Sequence, residues 1–374
     1  DGPGALSWSP NRAIGPEGEI YVPQPASGQV LVFSAEGELL RSFGRFGSGP
    51  GDFQDGPRVV TWAQGELWVA DRLRAQSFGP DDRPRAFVQF QFFDPEEGIY
   101  SRPEAPLADG TMWAKNSFTS TDGRGGPRSM AVRRFDEDGA VLDTIFVLDV
   151  NGDRVITNPE TGGFAVNPFR AMMPGSVNNA LRHALDAERA SLTVVGEVVP
   201  QARPATFDLV RLSITGDTLA VRTIPYDPVV LSRDERAWWE REFSATIAGD
   251  YSVGRPGYLQ RTEAQRNRAR ERARDALVLP DRYPPVRRLI AGIDGTTWLL
   301  REPDVLGFTN RWEIYDASGR LLGRVLEAAG RSPYTPWRST LELMRVSASE
   351  AWGTIVDAFE VPYIVRYRVV DGCR

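Results

Sequence analysis

A short motif returns along this 374-residue chain at intervals that few folds tolerate. It reads Gly18-Glu-Ile-Tyr21, Gly65-Glu-Leu-Trp68, Gly110-Thr-Met-Trp113 and Gly295-Thr-Thr-Trp298, with Ser349-Glu-Ala-Trp352 a fifth copy in which serine replaces glycine. Tyr21 to Trp68 is 47 residues, Trp68 to Trp113 is 45 and Trp298 to Trp352 is 54. Each copy follows a short apolar segment such as Val59-Val60 or Leu289-Ile290. Glycine reaches the positive φ of a tight hairpin, and the aromatic in the next strand packs between sheets.

A second motif lies downstream of each hairpin: Val32-Phe33 before Gly37, Arg134-Phe135 before Gly139, Arg211-Leu212 before Gly216, and Ile314-Tyr315 before Gly319. An apolar pair or run follows each turn, at Leu39-Leu40, Val141-Leu142, Leu219-Ala220-Val221 and Leu321-Leu322. The unit is strand, glycine turn, strand, loop, strand, glycine turn, strand. Four antiparallel strands in 40–50 residues is the size of a propeller blade (about 40–50 residues for the common repeats). The 185 residues between Trp113 and Trp298 are too many for one blade, and Leu192-Thr193-Val194-Val195 supplies the missing copy, with Thr193 in the aromatic place. The expected fold is therefore all-β: a six-bladed β-propeller of four-stranded antiparallel blades, one domain over 1–374. The last blade lacks its outer strand, and Gly4-Ala-Leu-Ser-Trp8 is expected to supply it and close the ring.

The stretch GRFGSGPGDF, Gly44 to Phe53, crosses from the outer strand of one blade to the inner strand of the next, with Phe46 and Phe53 expected to pin it. With VLVFSAEGELLRSFG before it and ELWVADRL after it, this segment resembles the NHL-repeat type of six-bladed propeller over residues 13–80. LPDRYPPVRRLIAGIDGTTWLL (279–300) resembles the fifth blade of bacterial propellers of this kind, many of them exported. The resemblance implies a fold and leaves activity open, because such propellers include binding platforms, lyases and hydrolases. It also implies that Asp71, in Trp68-Val-Ala-Asp71, is structural.

Residues 232–277 break the β pattern. Ser232-Arg-Asp-Glu235 and Thr262-Glu-Ala-Gln265 are capping boxes, and Trp239, Phe243 and Ile247 recur at helical spacing. A helical hairpin is expected here, inserted between blades four and five. It covers one face of the ring or serves as a partner or lid surface. The candidate binding residues are Trp238 and Trp239, which cannot both face one way on a helix, and Arg266, Arg270 and Arg274 from an arginine-rich run. Residues 115–130 and 146–180 read as long loops, and as face loops of a propeller they are candidate binding elements beside the helical insertion.

The chemistry is bounded by counts. His183 and Cys373 are each alone, which excludes His/Cys zinc clusters, bis-histidine haem, Cys-rich iron–sulfur sites and an intrachain disulfide. Amidating-lyase propellers surround a metal with several histidines, so that mechanism is closed to this chain. His183 falls in the inner strand of blade four. Lactonase-type propellers hold Ca²⁺ on the axis. Glu17, Asp109, Asp186 and Asp294 stand near inner strands here, but mostly where Asp is ordinary turn chemistry. A second calcium-like string is Asp149, Asn151, Asp153 and Glu160, with Arg154 where the sharp-turn glycine of such a loop belongs. No nucleophile elbow, phosphate loop or dinucleotide fingerprint occurs. A net charge of −6 argues against nucleic acid, and no apolar run is long enough to span a membrane.

The reading that follows is a non-catalytic binding or scaffold protein with a protein partner and no cofactor. It is placed outside the cytoplasm by the resemblance and by a chain that starts at Asp1 without a signal peptide. The alternatives are a Ca²⁺-dependent hydrolase or lactonase at the channel mouth and a subunit of a larger surface assembly that uses 232–277 as its contact.

Overall fold

A computed structural model describes residues 12–63, 65–71, 74–89, 93–94, 99–106, 111–119, 127–149, 156–157, 164–165, 183–186, 191–199, 203–250, 261–276, 279, 281–283, 285–286, 288–301, 309–328, 341–356 and 362–370. Sheets one (13–43), two (59–89), four (183–226) and five (288–328) are four-stranded antiparallel meanders in chain order. Sheet three (93–149) gains a short strand, Phe93–Asp94, ahead of its first long one. Sheet six (341–368) has three strands among the described residues. This is the layout of β-propeller blades: the first strand of sheet one touches the first strands of sheets two and six, and that of sheet five touches those of sheets four and six.

The core is a series of apolar clusters between successive sheets. Tyr21 and Val32 meet Val60 and Phe78, Phe207 and Tyr226 meet Leu289 and Leu299, and Trp298 and Ile314 meet Leu343 and Val346. The last sheet packs on the first through Trp352, Ile14, Ile20 and Val22. Four of the five repeated aromatics are buried as expected, Tyr21, Trp113, Trp298 and Trp352, while Trp68 is half-buried against Ala70, Val88 and Met112. Thr193 pairs with Ala184 in the register that pairs Trp298 with Ile290, so it does occupy the aromatic position.

The second turn of sheets one, three, four and five has a chemistry that the glycine pattern does not reveal. The side chain three residues before the glycine accepts two backbone N–H groups. Ser34 takes those of Glu36 and Glu38, Asp136 those of Asp138 and Ala140, Ser213 those of Thr215 and Asp217, and Asp316 those of Ser318 and Arg320. A short polar side chain thus organises the tight turn while the glycine reaches positive φ. In sheet two the turn runs from Gly79, and Asp82 takes the glycine place at φ 57°. Asp82 also ties the two sheets together by accepting from Nε and Nη2 of Arg41 on the outer strand of sheet one, at 2.5 and 3.2 Å.

The glycine-rich crossover is held from inside. Arg74, on the third strand of sheet two, donates to the carbonyls of Ser48, Gly47 and Asp52, and the Gln76 amide donates to Asp52 as well. Asp71 accepts the N–H groups of Gln54 and Arg74, which is a structural role. Gly44 has φ +86° and packs on Phe53, whose ring leaves no room for a β-carbon there. Phe53 is fully buried, but Phe46 is 53% exposed, which corrects the expectation that both rings pin the crossover. Phe46 bridges Phe53 through its backbone, so its ring is left outside.

A second correction concerns the expected loop at 115–130. Lys115–Thr119 belongs to the strand Met112–Thr119, and Pro127–Met130 to the strand Pro127–Phe135. These polar residues are ladder-paired, Lys115 with Arg102 and Val132, because backbone pairing in a sheet does not require apolar side chains. In the 146–180 segment, Phe146–Asp149 completes a strand, and Ile156–Thr157 pairs with Phe164–Ala165. Residues 4–8 lie outside the described residues.

Candidate functional site

Two helices, α1 (Arg233–Ala248) and α2 (Glu263–Ala276), lie in chain order between the strands Thr218–Tyr226 and Arg288–Ala291. Both capping boxes form. Glu235 N–H donates to Ser232 Oγ at 3.2 Å and Ser232 N–H to the Glu235 carboxylate at 2.8 Å. Gln265 N–H donates to Thr262 Oγ1 at 3.3 Å and Thr262 N–H to the Gln265 side chain at 2.8 Å. Each box satisfies orphan donors of its helix start and places Asp234, Glu235 or Glu263 at the positive end of the dipole.

The hairpin stands on a neck of extended chain. Leu231 N–H donates to the Asp281 carbonyl and Tyr283 N–H to that of Val229, both at 2.9 Å, with Val230 and Arg282 bridged between them. Above the neck is a separate core of Leu231, Trp238, Trp239 and Tyr283, with Val229 and Leu279 against it. The indoles meet edge to face at 4.6 Å, and Trp239 Nε1 donates to the Tyr283 hydroxyl, which donates to Glu235. Trp238 and Trp239 are 4% and 0% exposed. Neither indole is presented to solvent, because the neck closes over a second side of α1 that helix periodicity alone would leave open.

The arginine face of α2 is partly neutralised. Asp250 accepts from Nε of Arg270 at 2.7 Å and from its Nη2, and lies 3.6 Å from Arg266. That hydrogen bond holds the Arg270 pKa above its ordinary value. Arg274 is 3.9 Å from Glu240 across the hairpin. Arg268 and Arg272 are exposed.

The other sequence candidates are dispersed. His183 begins the first strand of sheet four. Asp149 ends a strand of sheet three, paired with Ser129, whereas Asn151, Asp153, Glu160, Asp109 and Cys373 lie outside the described residues. Asp294 serves its turn by accepting from Thr296 N–H and Oγ1, and it reaches Ala348 N–H of sheet six at 2.7 Å. Burial opposes its ionisation, but the hydrogen bonds from Ala348 and Thr296 prevail and hold its pKa below the ordinary value. Among the described residues no group of three or more His, Cys, Asp or Glu is placed to hold a metal. No described helix is long and apolar enough to cross a membrane.

No protein-family model matches the chain, and no curated protein matches it in sequence. Among solved structures it is similar to a DUF4221-family member from Bacteroides vulgatus, at 10% identity over 99% of this chain and 94% of that one, with a TM-score of 0.48. It is also similar to the calcium-binding protein regucalcin from Agrobacterium tumefaciens, at 10% identity over 94% and 82% with a TM-score of 0.37. A third is virginiamycin B lyase from Staphylococcus aureus, at 10% identity over 97% and 85% with a TM-score of 0.35.

Proposed function

We propose that the chain is a non-catalytic binding or scaffold protein: a six-bladed propeller of the NHL type serving as platform, with the helical hairpin between blades four and five as its docking element. The observation that carries this is the hairpin's independence. Among the described residues it has a buried core drawn only from the insertion and its neck, and it joins the sheets through that paired neck. Arg266, Arg270 and Arg274 on α2 form the contact face, with Trp238 and Trp239 as internal support. An acidic protein surface is the matching partner.

Six blades are supported by the six sheets of three or more strands among the described residues and by the packing of sheet six on sheet one. Closure by residues 4–8 is supported by the three-stranded sheet six. Location outside the cytoplasm rests on the sequence resemblance to exported propellers.

The test replaces 233–279 with a two-residue Asn-Gly turn. Cross-linking in the native cell extract then compares the two chains. The expected result is an unchanged propeller melting temperature and loss of a specific cross-linked partner. A large fall in melting temperature would assign the hairpin to packing instead.

A further inference from the structure

One blade departs from the repeat, and the departure leaves an arginine with no carboxylate partner among the described residues. In sheets three, four and six the residue opposite the aromatic position on the third strand is arginine: Arg134 opposite Trp113, Arg211 opposite Thr193, and Arg366 opposite Trp352. Arg366 lies over the Trp352 ring at 5.1 Å and donates to Glu350 at 2.7 Å. Arg134 donates to Asp143, directly opposite it on the outer strand, at 2.7 Å.

Among its described side chains, sheet four has none of these groups. Thr193 replaces the indole, and Ala220 stands opposite Arg211 where Asp143 stands opposite Arg134. Ser191 precedes Thr193 by two residues, as Glu350 precedes Trp352. Among the described residues, the only hydrogen-bond partner of Arg211 is the Ser191 hydroxyl, approached by Nε and Nη2 at 3.2 and 3.1 Å. A neutral hydroxyl is a weak substitute for the carboxylate that the sister arginines hold. By contrast Arg301, a buried cation between sheets four and five, is compensated, lying 3.3 Å from Glu313 and over the Phe207 ring.

Where the indole is missing there is a cavity between sheets four and five, lined by Ser191, Thr193, Arg211 and Arg222 on one side and by Thr297 and Ser318 on the other. It measures about 30 Å³. One water needs roughly 10–15 Å³ on this measure, so the space suits a pair of waters or one oxyanion head. Arg222 is exposed and has no hydrogen-bond or ion-pair partner among the described residues. Its side chain crosses Gly319, where a β-carbon would lie 2.9 Å from Arg222 Cβ and Cγ. The carboxylate at the cavity edge, Asp316, is committed to its own turn and to Arg320.

We propose that this cavity is a binding site for a small oxyanion, the carboxylate or phosphate head of a soluble ligand. Arg211 and Arg222 supply the charge, Ser191 and Thr193 the hydroxyl contacts, and the remainder of the ligand stays outside. The site goes beyond the docking role of the hairpin and is independent of it.

Calorimetric titration of the full chain at low salt with inorganic phosphate, acetate, glucose 6-phosphate and glucuronate tests this. The expected result is saturable binding of at least one probe, one per chain. Arg211→Met and Arg222→Met should each weaken it at least tenfold, and Thr193→Trp, which restores the indole of the repeat, should abolish it. If the inorganic ion or acetate binds as well as its sugar-borne counterpart, the head alone is recognised. If the sugar-borne probe binds more tightly, the hydroxyls at the cavity mouth take part. Arg222 is on an exposed outer strand, so its variant remains informative if Arg211→Met disturbs the sheet. Failure of all four probes to bind saturably, or binding unchanged in both arginine variants, overturns the proposal.

Discussion

The guanidinium of Arg74 lies 3.5 Å from the carboxylate of Asp71, and the two side chains are 9% and 0% exposed. The pair is the anchor on which the glycine-rich crossover is wound. Removing one partner of a buried pair strands the other charge, and here it also takes the guanidinium donor from the carbonyls of Gly47 and Ser48, while Asp52 keeps its bond from Gln76. Arg74→Met is expected to destabilise the fold by about 3–5 kcal/mol in urea unfolding. A loss under about 1 kcal/mol, the scale of a surface pair, would show that the crossover holds itself.

Gly44 and Gly37 separate two reasons for glycine. Both have positive φ, +86° and +89°, but a β-carbon at Gly37 meets nothing within 4 Å, whereas one at Gly44 collides with Phe53. Gly37→Ala should cost about 1–2 kcal/mol for the left-handed backbone alone. Gly44→Ala should cost about 1–3 kcal/mol more from overpacking. Equal losses would mean that the Phe53 ring moves aside freely.

Asp316 should titrate at about 2, well below 3.8, because hydrogen bonds from the Ser318 hydroxyl and the Arg320 N–H favour its carboxylate. A depressed folded pKa contributes stability that is present above the ordinary value and lost as pH falls. The contribution is therefore complete above 3.8 and disappears as pH falls through about 2. Carboxyl-carbon NMR titration checks the midpoint. A value near 3.8 would refute the turn's hold on the group.

Trp239→Ala should unfold the hairpin alone. Truncating a buried indole costs about 3–5 kcal/mol, more than a small two-helix core is expected to withstand. Circular dichroism at 222 nm should lose helical signal while the sheet melting transition stays in place. A single cooperative transition at lower temperature would instead join the hairpin to the propeller core.

The sequence was legible where one residue type has one physical use. Glycine at positive φ marked Gly18, Gly65, Gly216 and Gly319, the capping boxes marked the starts of both helices, and Thr193 was placed by its apolar neighbours. It was opaque where a function is shared among residue types. Asp82 does a glycine's work, so the second turn of sheet two carried no signature. Lys115 and Asn116 are strand residues because the backbone pairs, whatever the side chains prefer. The burial of Trp238 depends on Tyr283, 45 residues away, and no local period encodes that. The cavity beside Arg211 was hidden for a different reason: it consists of groups that are missing, and only superposing the registers of three sheets exposes the gap.

The neck at Val230 and Arg282 has a consequence beyond docking. Its two strands leave and re-enter the propeller side by side, so the path between sheets four and five is equally short with or without what the neck carries. Such a junction is a socket. A sequence of any length whose ends meet could be seated there without disturbing the blades on either side. The rest of the chain is constrained by its repeats, while this one position is free to change its passenger.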